Sequence, residues 1–166
     1  ALAMSLSFFL ATPINRKAHT LYRRYSDRLD RHEGATRLPE EAIGSLGDAT
    51  TVILGMGRVG RGAFDALVDA GRTGIVGVEE NYLRAGELDA AGHHCIHGDA
   101  VDRDFWERTG LVDRELVLIS LTNHRENLRA VRLAREVGFR GTIAVAARFP
   151  DERAELEALG CVAYYL

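Results

Sequence analysis

The sequence predicts an α/β fold: a Rossmann-like, doubly wound parallel sheet of six strands in the order 3-2-1-4-5-6, preceded by an N-terminal helical segment. From Asp48 onward, short apolar runs alternate with longer amphipathic segments, which is the pattern of repeated strand–helix units. The short runs are almost continuously apolar, as expected of strands in a parallel sheet covered on both faces. The first of them, "TTVILG", leads directly into "GMGRVG", a G-x-G-x-x-G pattern that opens a helix-like segment.

Each element follows from its residues. "TTVILG" is β-branched and ends on glycine, so it reads as a buried strand. "RVGRGAFDALVDAG" puts Val59, Ala63, Phe64, Leu67 and Val68 on one helical face, with Gly71 as its stop. "TGIVGVEE" is the second strand, and "NYLRAGELDAAG" a helix capped by Asn81 and closed by Gly92. "HHCIHGDA" is a third strand, polar enough for a sheet edge. "VDRDFWERTGL" is a short helical stretch, and "ELVLISL" a strongly apolar fourth strand. "TNHRENLRAVRLAREVGF" is a long helix with Leu128, Val131, Leu133, Ala134 and Val137 as its core face. "GTIAVAARF" is the fifth strand, "PDERAELEALG" a helix begun by proline at its first position, and "CVAYYL" the sixth strand. The crossovers between parallel strands are expected to be right-handed.

Upstream, the period changes. Residues 1–11, "ALAMSLSFFLA", are uncharged and largely apolar, about half of the 20 or so residues that a bilayer span needs. A basic segment follows, with Leu21, Tyr22, Tyr25 and Leu29 at helical spacing. An apolar run ahead of a basic one fits the exit of a membrane helix on its cytoplasmic side, and it has the wrong order for a signal peptide. A loosely attached helix of a soluble protein is the competing reading. "GATRLPEEAIGSLGD" has the composition of a linker. The expected organisation is therefore residues 1–47 as the end of a membrane span, a basic amphipathic helix and a linker, then residues 48–166 as a nucleotide-binding domain. The chain begins at Ala1 instead of methionine, and the expectation is a piece of a longer protein.

Composition narrows the chemistry. The formal charge is −3, too small to point to nucleic acid as a partner. Lys17 is the lone lysine, which removes a phosphate loop ending in G-K-[ST] and any Tyr-Lys or Schiff-base lysine within the domain. Cys95 and Cys161 are too few and too far apart for a disulfide framework.

The glycine pattern gains meaning from its context. Gly55 permits a tight turn, Gly57 lets the backbone approach a phosphate, and Gly60 lets helix and strand pack closely. The helix N-terminus behind them offers free N–H groups to an anion. Glu79 ends the second strand about 20 residues on, where a carboxylate accepts from ribose hydroxyls and repels a 2′-phosphate. NAD, AMP, ADP or ATP are thus favoured over NADP. Gly98, Asp99 and Ala100 end the third strand on the same side of the sheet.

Taken together, "VILGMGRVG", "GIVGVEEN", "HGDA", "LVLISLTNHRENL" and "LEALG" resemble the nucleotide-binding domain called RCK, KTN or TrkA-N, from Thr51 to about Leu166. Arg58, directly after the second glycine, and the G-D-A triplet distinguish this family from generic dehydrogenases. The resemblance implies a regulator of potassium channels, potassium uptake systems or cation:proton antiporters that binds NAD(H) or an adenine nucleotide. It implies phosphate contacts from Gly55, Met56, Gly57, Arg58, Val59 and Gly60, and ribose contacts from Glu79 and Asn81. Asp99 and Ala100 would sit by the base and its sugar, and Thr122 and Asn123 on the far side of the ligand. The upstream segment looks like that of a Kef-like, CPA2-type antiporter. That implies a membrane transport domain in the same chain, a homodimer through the Rossmann domain, and the cytoplasmic face of a bacterial inner membrane. Ala146 and Ala147 stand before Arg148 where glutathione-gated members are often richer in arginine, so glutathione control is not implied.

No catalytic residue and no metal site are expected. His93, Cys95 and His97 would share a strand face, but they lack a fourth ligand and read as polar residues of an edge strand. Two function classes remain: a regulatory nucleotide-binding module, and a fragment of an NAD-dependent oxidoreductase. The second needs a catalytic domain or a general acid near the nicotinamide, and no Tyr-Lys or His-Asp pair sits at a strand end within the domain.

Overall fold

The computed structural model describes residues 44–165. The expected end of a membrane span, the basic helix and most of the linker lie outside the described residues. No helix among the described residues is long and apolar enough to cross a membrane.

Six strands form one sheet: β1 (Thr51–Leu54), β2 (Ile75–Glu79), β3 (Cys95–His97), β4 (Leu116–Ile119), β5 (Thr142–Ala147) and β6 (Val162–Tyr165). Their order is β3-β2-β1-β4-β5-β6, and every neighbouring pair is parallel. Five α-helices connect them: α1 (Arg58–Asp69), α2 (Tyr82–Leu88), α3 (Arg103–Arg108), α4 (His124–Glu136) and α5 (Pro150–Ala158). This is the predicted fold in both class and strand order.

Strand alternation divides the apolar residues between two cores. Val52, Leu54, Val76, Val78, Val117 and Ile119 point to the face covered by Phe105 and Trp106 of α3, Leu128, Val131 and Ala134 of α4, and Leu156 of α5. Ile53, Ile75 and Leu118 point the other way, toward Phe64 of α1 and Ala85 and Leu88 of α2. Leu46 and Ala49 are already buried in the first core, so packing starts just before β1.

One expected core residue is not one. Val68 is 49% exposed, because the helical face that α1 turns to the sheet is centred on Gly60 and Phe64. Val68 lies at the exposed rim of that face.

The first strand meets the first helix under tight steric control. Gly55 has φ +91, and a Cβ there would come within 3.0 Å of both Leu121 and the Ser120 carbonyl. Its N–H donates to the Val78 carbonyl at 2.9 Å, tying the loop to β2. A Cβ on Gly60 would run into the Gly55 carbonyl, so α1 can lie this close to β1 only with glycine at that position.

Candidate functional site

All strands point the same way, so the ends of β1, β2, β3 and β4 converge. The chain passes from β3 at one edge back to β4 beside β1, which makes β1/β4 the point where strand order reverses and where open sheets form a crevice. Two cavities lie there.

The first, of about 160 Å³, is lined by Gly55 and Gly57 from the loop, Glu79 and Arg84 from β2 and α2, Asp99 and Ala100 after β3, and Thr122 after β4. The second, of about 280 Å³, is lined by Gly57, Arg58 and Val59, by Thr122 and His124, and by Arg148 and Phe149 after β5. Gly57 and the stretch from Ser120 to Thr122 belong to both cavities and form the neck between them.

The glycines have separate jobs. Gly57 has ordinary extended backbone as the N-cap of α1, with φ −68, so the fold does not require glycine there. A Cβ on it would meet no atom within 4 Å, and Gly57 itself lines both cavities. The missing side chain therefore leaves room for something other than the protein. No side chain caps α1, so the N–H groups of its first turn lack a side-chain acceptor where Gly57, Arg58 and Val59 line the second cavity.

Glu79 is held where its strand ends, with its side chain only 13% exposed. Its Oε1 accepts from the Asn81 N–H at 3.3 Å, and its Oε2 lies 3.9 Å from Nε of Arg84. Arg84 also donates from Nη2 to the Met56 carbonyl at 3.1 Å, so one side chain spans from the strand-end acid to the glycine loop. Asp99 accepts from the Val101 N–H at 2.8 Å, and the Ala100 carbonyl accepts from the Trp106 indole at 2.9 Å. These two bonds lock the G-D-A turn against the core.

Four of the twelve residues expected at the site line neither cavity. Met56 is fully buried, with its side chain packed over Gly77 of β2, so only its backbone faces the loop. Gly60 serves helix–strand packing. Asn81 caps α2 by accepting from the Arg84 N–H, and Asn123 caps α4 by accepting from the Arg125 N–H. Both amides are committed to helix starts, because short polar side chains at an N-cap satisfy otherwise free donors.

The histidine–cysteine cluster also separates. His93 is not on a strand: it ends the turn after α2 and lies 3.2 Å from Asp65 of α1. His97 contacts the Glu80 carbonyl and stacks edge-on against Tyr82. Cys95 is buried, and its thiol is pushed up to about 12, first by that burial and then by the negative charges of Glu79 and Asp89.

The sequence matches the TrkA-N domain model over residues 51–164. The chain belongs to the TrkA-N domain family. The TrkA-N domain of the inner membrane protein ybaL from Escherichia coli is similar in fold, with 22% identity and a TM-score of 0.61 over 72% of this chain and 86% of that one. The GsuK channel bound to NAD superposes with a TM-score of 0.59 at 19% identity, covering 95% of this chain but 28% of the channel. GsuK bound to ADP gives 0.60 at 19% identity, covering 98% of this chain and 42% of that one. No curated protein sequence matches the chain.

Three polar residues of this TrkA-N domain escaped the reading of its sequence. Ser120 donates to the Gly55 carbonyl at 2.8 Å and so fixes the loop from β4. Asn127, only 4% exposed, accepts from the Leu121 N–H at 3.0 Å and holds the β4–α4 connection in place. Arg84 is the third. Ser120 and Asn127 look like ordinary strand-end and helix residues in the sequence, and only the fold brings them to the loop.

Proposed function

We propose that this TrkA-N domain is a nucleotide sensor: it binds NAD(H) or an adenine nucleotide and biases an attached transport domain for potassium or another monovalent cation. The observation that carries the reading is Gly57, a glycine the backbone does not need, whose missing side chain opens the neck between two cavities at the N-terminus of α1. A phosphate placed there meets helix N–H groups, and Glu79 stands on the ribose side of the same cavity. Glu80, Asp99 and Glu126 also line that cavity, so a 2′-phosphate meets several carboxylates and NADP is disfavoured. That GsuK is seen with NAD and with ADP supports both ligand classes.

Residues 48–166 form the sensing domain in this reading. Residues 1–47 are the tail of a membrane span and its linker, as in a Kef-like cation:proton antiporter at the cytoplasmic face of a bacterial inner membrane. The sensing domain pairs with a second copy of itself. No bond is made or broken. The ligand acts only by binding more tightly to one arrangement of the pair than to another.

The direct test is calorimetric titration of the chain with AMP, ADP, ATP, NAD, NADH and NADP. Saturable binding of at least one of the first five, with NADP weaker than NAD, is expected. No binding of any of them removes the sensor reading. Steady NADH consumption with a carbonyl substrate would put an oxidoreductase in its place.

A further inference from the structure

We propose that Arg84 is the positioning residue of this site: by holding the Met56 carbonyl, it aims the Gly57 N–H at the ligand's phosphate. The inference rests on the nucleotide reading above and adds a residue that neither the glycine pattern nor the ribose acid points to.

The peptide bond between Met56 and Gly57 is planar and trans, so the Met56 carbonyl and the Gly57 N–H point in opposite directions. Fixing the carbonyl fixes the direction of the N–H. Gly57 is otherwise the least constrained point of the loop, since it has no side chain and a Cβ there would find no neighbour within 4 Å. Gly55 on one side is tied by its N–H to β2 and by its carbonyl to Ser120. On the other side, the Gly57 carbonyl accepts from the Arg61 N–H as α1 begins. Between these anchors the Met56 side chain is held in the core, and the carbonyl of the Met56–Gly57 plane takes its hydrogen bond from Arg84 at 3.1 Å.

Two contacts of Arg84 compete as its purpose, and their strengths decide between them. The approach to Glu79 is 3.9 Å, too long for a hydrogen bond, and the Arg84 side chain is 45% exposed, so solvent screens the pair. Glu79 also keeps the Asn81 N–H as an independent partner. The bond to the Met56 carbonyl is part-buried, shorter, and charge-assisted. Losing Arg84 therefore loosens the phosphate end of the site far more than the ribose end.

The experiment compares AMP with adenosine by calorimetry on the unaltered chain and on Arg84→Met, Arg84→Gln and Arg84→Lys. Arg84→Met is expected to weaken AMP about tenfold and adenosine less than about twofold. Arg84→Lys, which keeps a donor for the carbonyl, is expected to recover most of the difference. The decline of AMP affinity with rising salt is expected to be equally steep in the unaltered chain and in Arg84→Met. A shallower decline in Arg84→Met would mean that the guanidinium touches the phosphate itself, which overturns a positioning role. Equal weakening of AMP and adenosine, or no change in either, also overturns it. If Arg84→Met does not fold, Arg84→Gln, whose amide is too short to reach Met56, is expected to show the same split. An unaltered chain that binds none of AMP, ADP, ATP, NAD and NADH refutes the nucleotide reading itself, whereas binding that is indifferent to Arg84 refutes only this proposal.

Discussion

The two cavities on either side of Gly57 grow from the same sheet end, yet they carry opposite charge. Toward β2 and β3 the lining includes Glu79, Glu80, Asp99 and Glu126 against the single arginine Arg84. Toward β5 it includes Arg58 and Arg148 against Glu152, with the His124 ring paired to Glu155. Glu152 is already engaged with the backbone N–H of Arg148, and the described ion pairs leave both guanidiniums unspent. An acidic hollow suits a group that donates hydrogen bonds, such as a ribose. A basic one suits further negative charge beyond the first phosphate. A ligand lying across the neck would thus meet two opposite fields, and each wall can be broken separately.

The largest effect is expected at the neck, where two glycines separate folding from binding. Gly60→Val forces a side chain into the Gly55 carbonyl, so it should cost about 3 kcal/mol of stability and abolish nucleotide binding with it. Gly57→Val should abolish binding as well, but at a cost in stability of no more than about 1 kcal/mol, because its backbone is unstrained and its Cβ meets open space. Thermal melts run alongside calorimetry distinguish the two. A Gly57→Val protein that still bound AMP at full affinity would show that the opening at the neck is not where the phosphate lies.

Next in size is the acidic wall. Glu79→Gln keeps the shape and removes the charge, and it should weaken ribose-containing ligands between about tenfold and a hundredfold. It should also narrow the preference for NAD over NADP, since one of the repelling carboxylates is gone. The basic wall comes third. Arg58→Ala and Arg148→Ala should each weaken ATP about threefold while affecting AMP less, and the difference should shrink as salt is raised, because both side chains are exposed. If AMP and ATP lost affinity equally, the basic cavity would not be where additional phosphates go.

The asymmetry between the walls also marks what could be read from sequence. Strand order and the acidic wall were legible because they rest on local signals: alternating apolar runs, a glycine triplet at fixed spacing, an acid at a strand end. Glu79 and Asp99 declare themselves within a few residues of a strand terminus. The residues that hold the loop in place do not. Ser120 reaches Gly55 from a strand far along the chain, and Arg84 reaches Met56 from the next helix, contacts that exist only once the sheet has formed. Asn81 and Asn123 line neither cavity for the opposite reason. They sit next to the site in sequence, but a short polar side chain in front of a helix is drawn to the helix's own free N–H groups. Proximity along the chain said nothing about which atoms were already committed. Val68 failed in a third way: helical periodicity grouped it with Phe64 but could not show that it lies at the exposed rim of that face.

The smallest expected effect uses Cys95 as a reporter of the acidic wall. Its thiol is raised from 9.0 to about 12, with burial as the largest cause, the charge of Glu79 second and that of Asp89 third. Below pH 9 the thiol is protonated in both folded and unfolded chains, so its contribution to stability is fully present. As pH rises from 9 toward 12 the unfolded chain loses the proton first, and that contribution is progressively lost. Tyr164, raised from 10.0 to about 12 by its own burial, adds a slope of the same sign, so the measurement must be a difference. Cys95→Ala should make the alkaline fall in melting temperature shallower than in the unaltered chain. Glu79→Gln should move the same way but less far, because removing one charge lowers the thiol's pKa while burial still holds it above 9. If Glu79→Gln left the alkaline slope unchanged while Cys95→Ala flattened it, the field of the acidic wall would not extend to β3, and the contrast between the two cavities would be confined to the surface of the crevice.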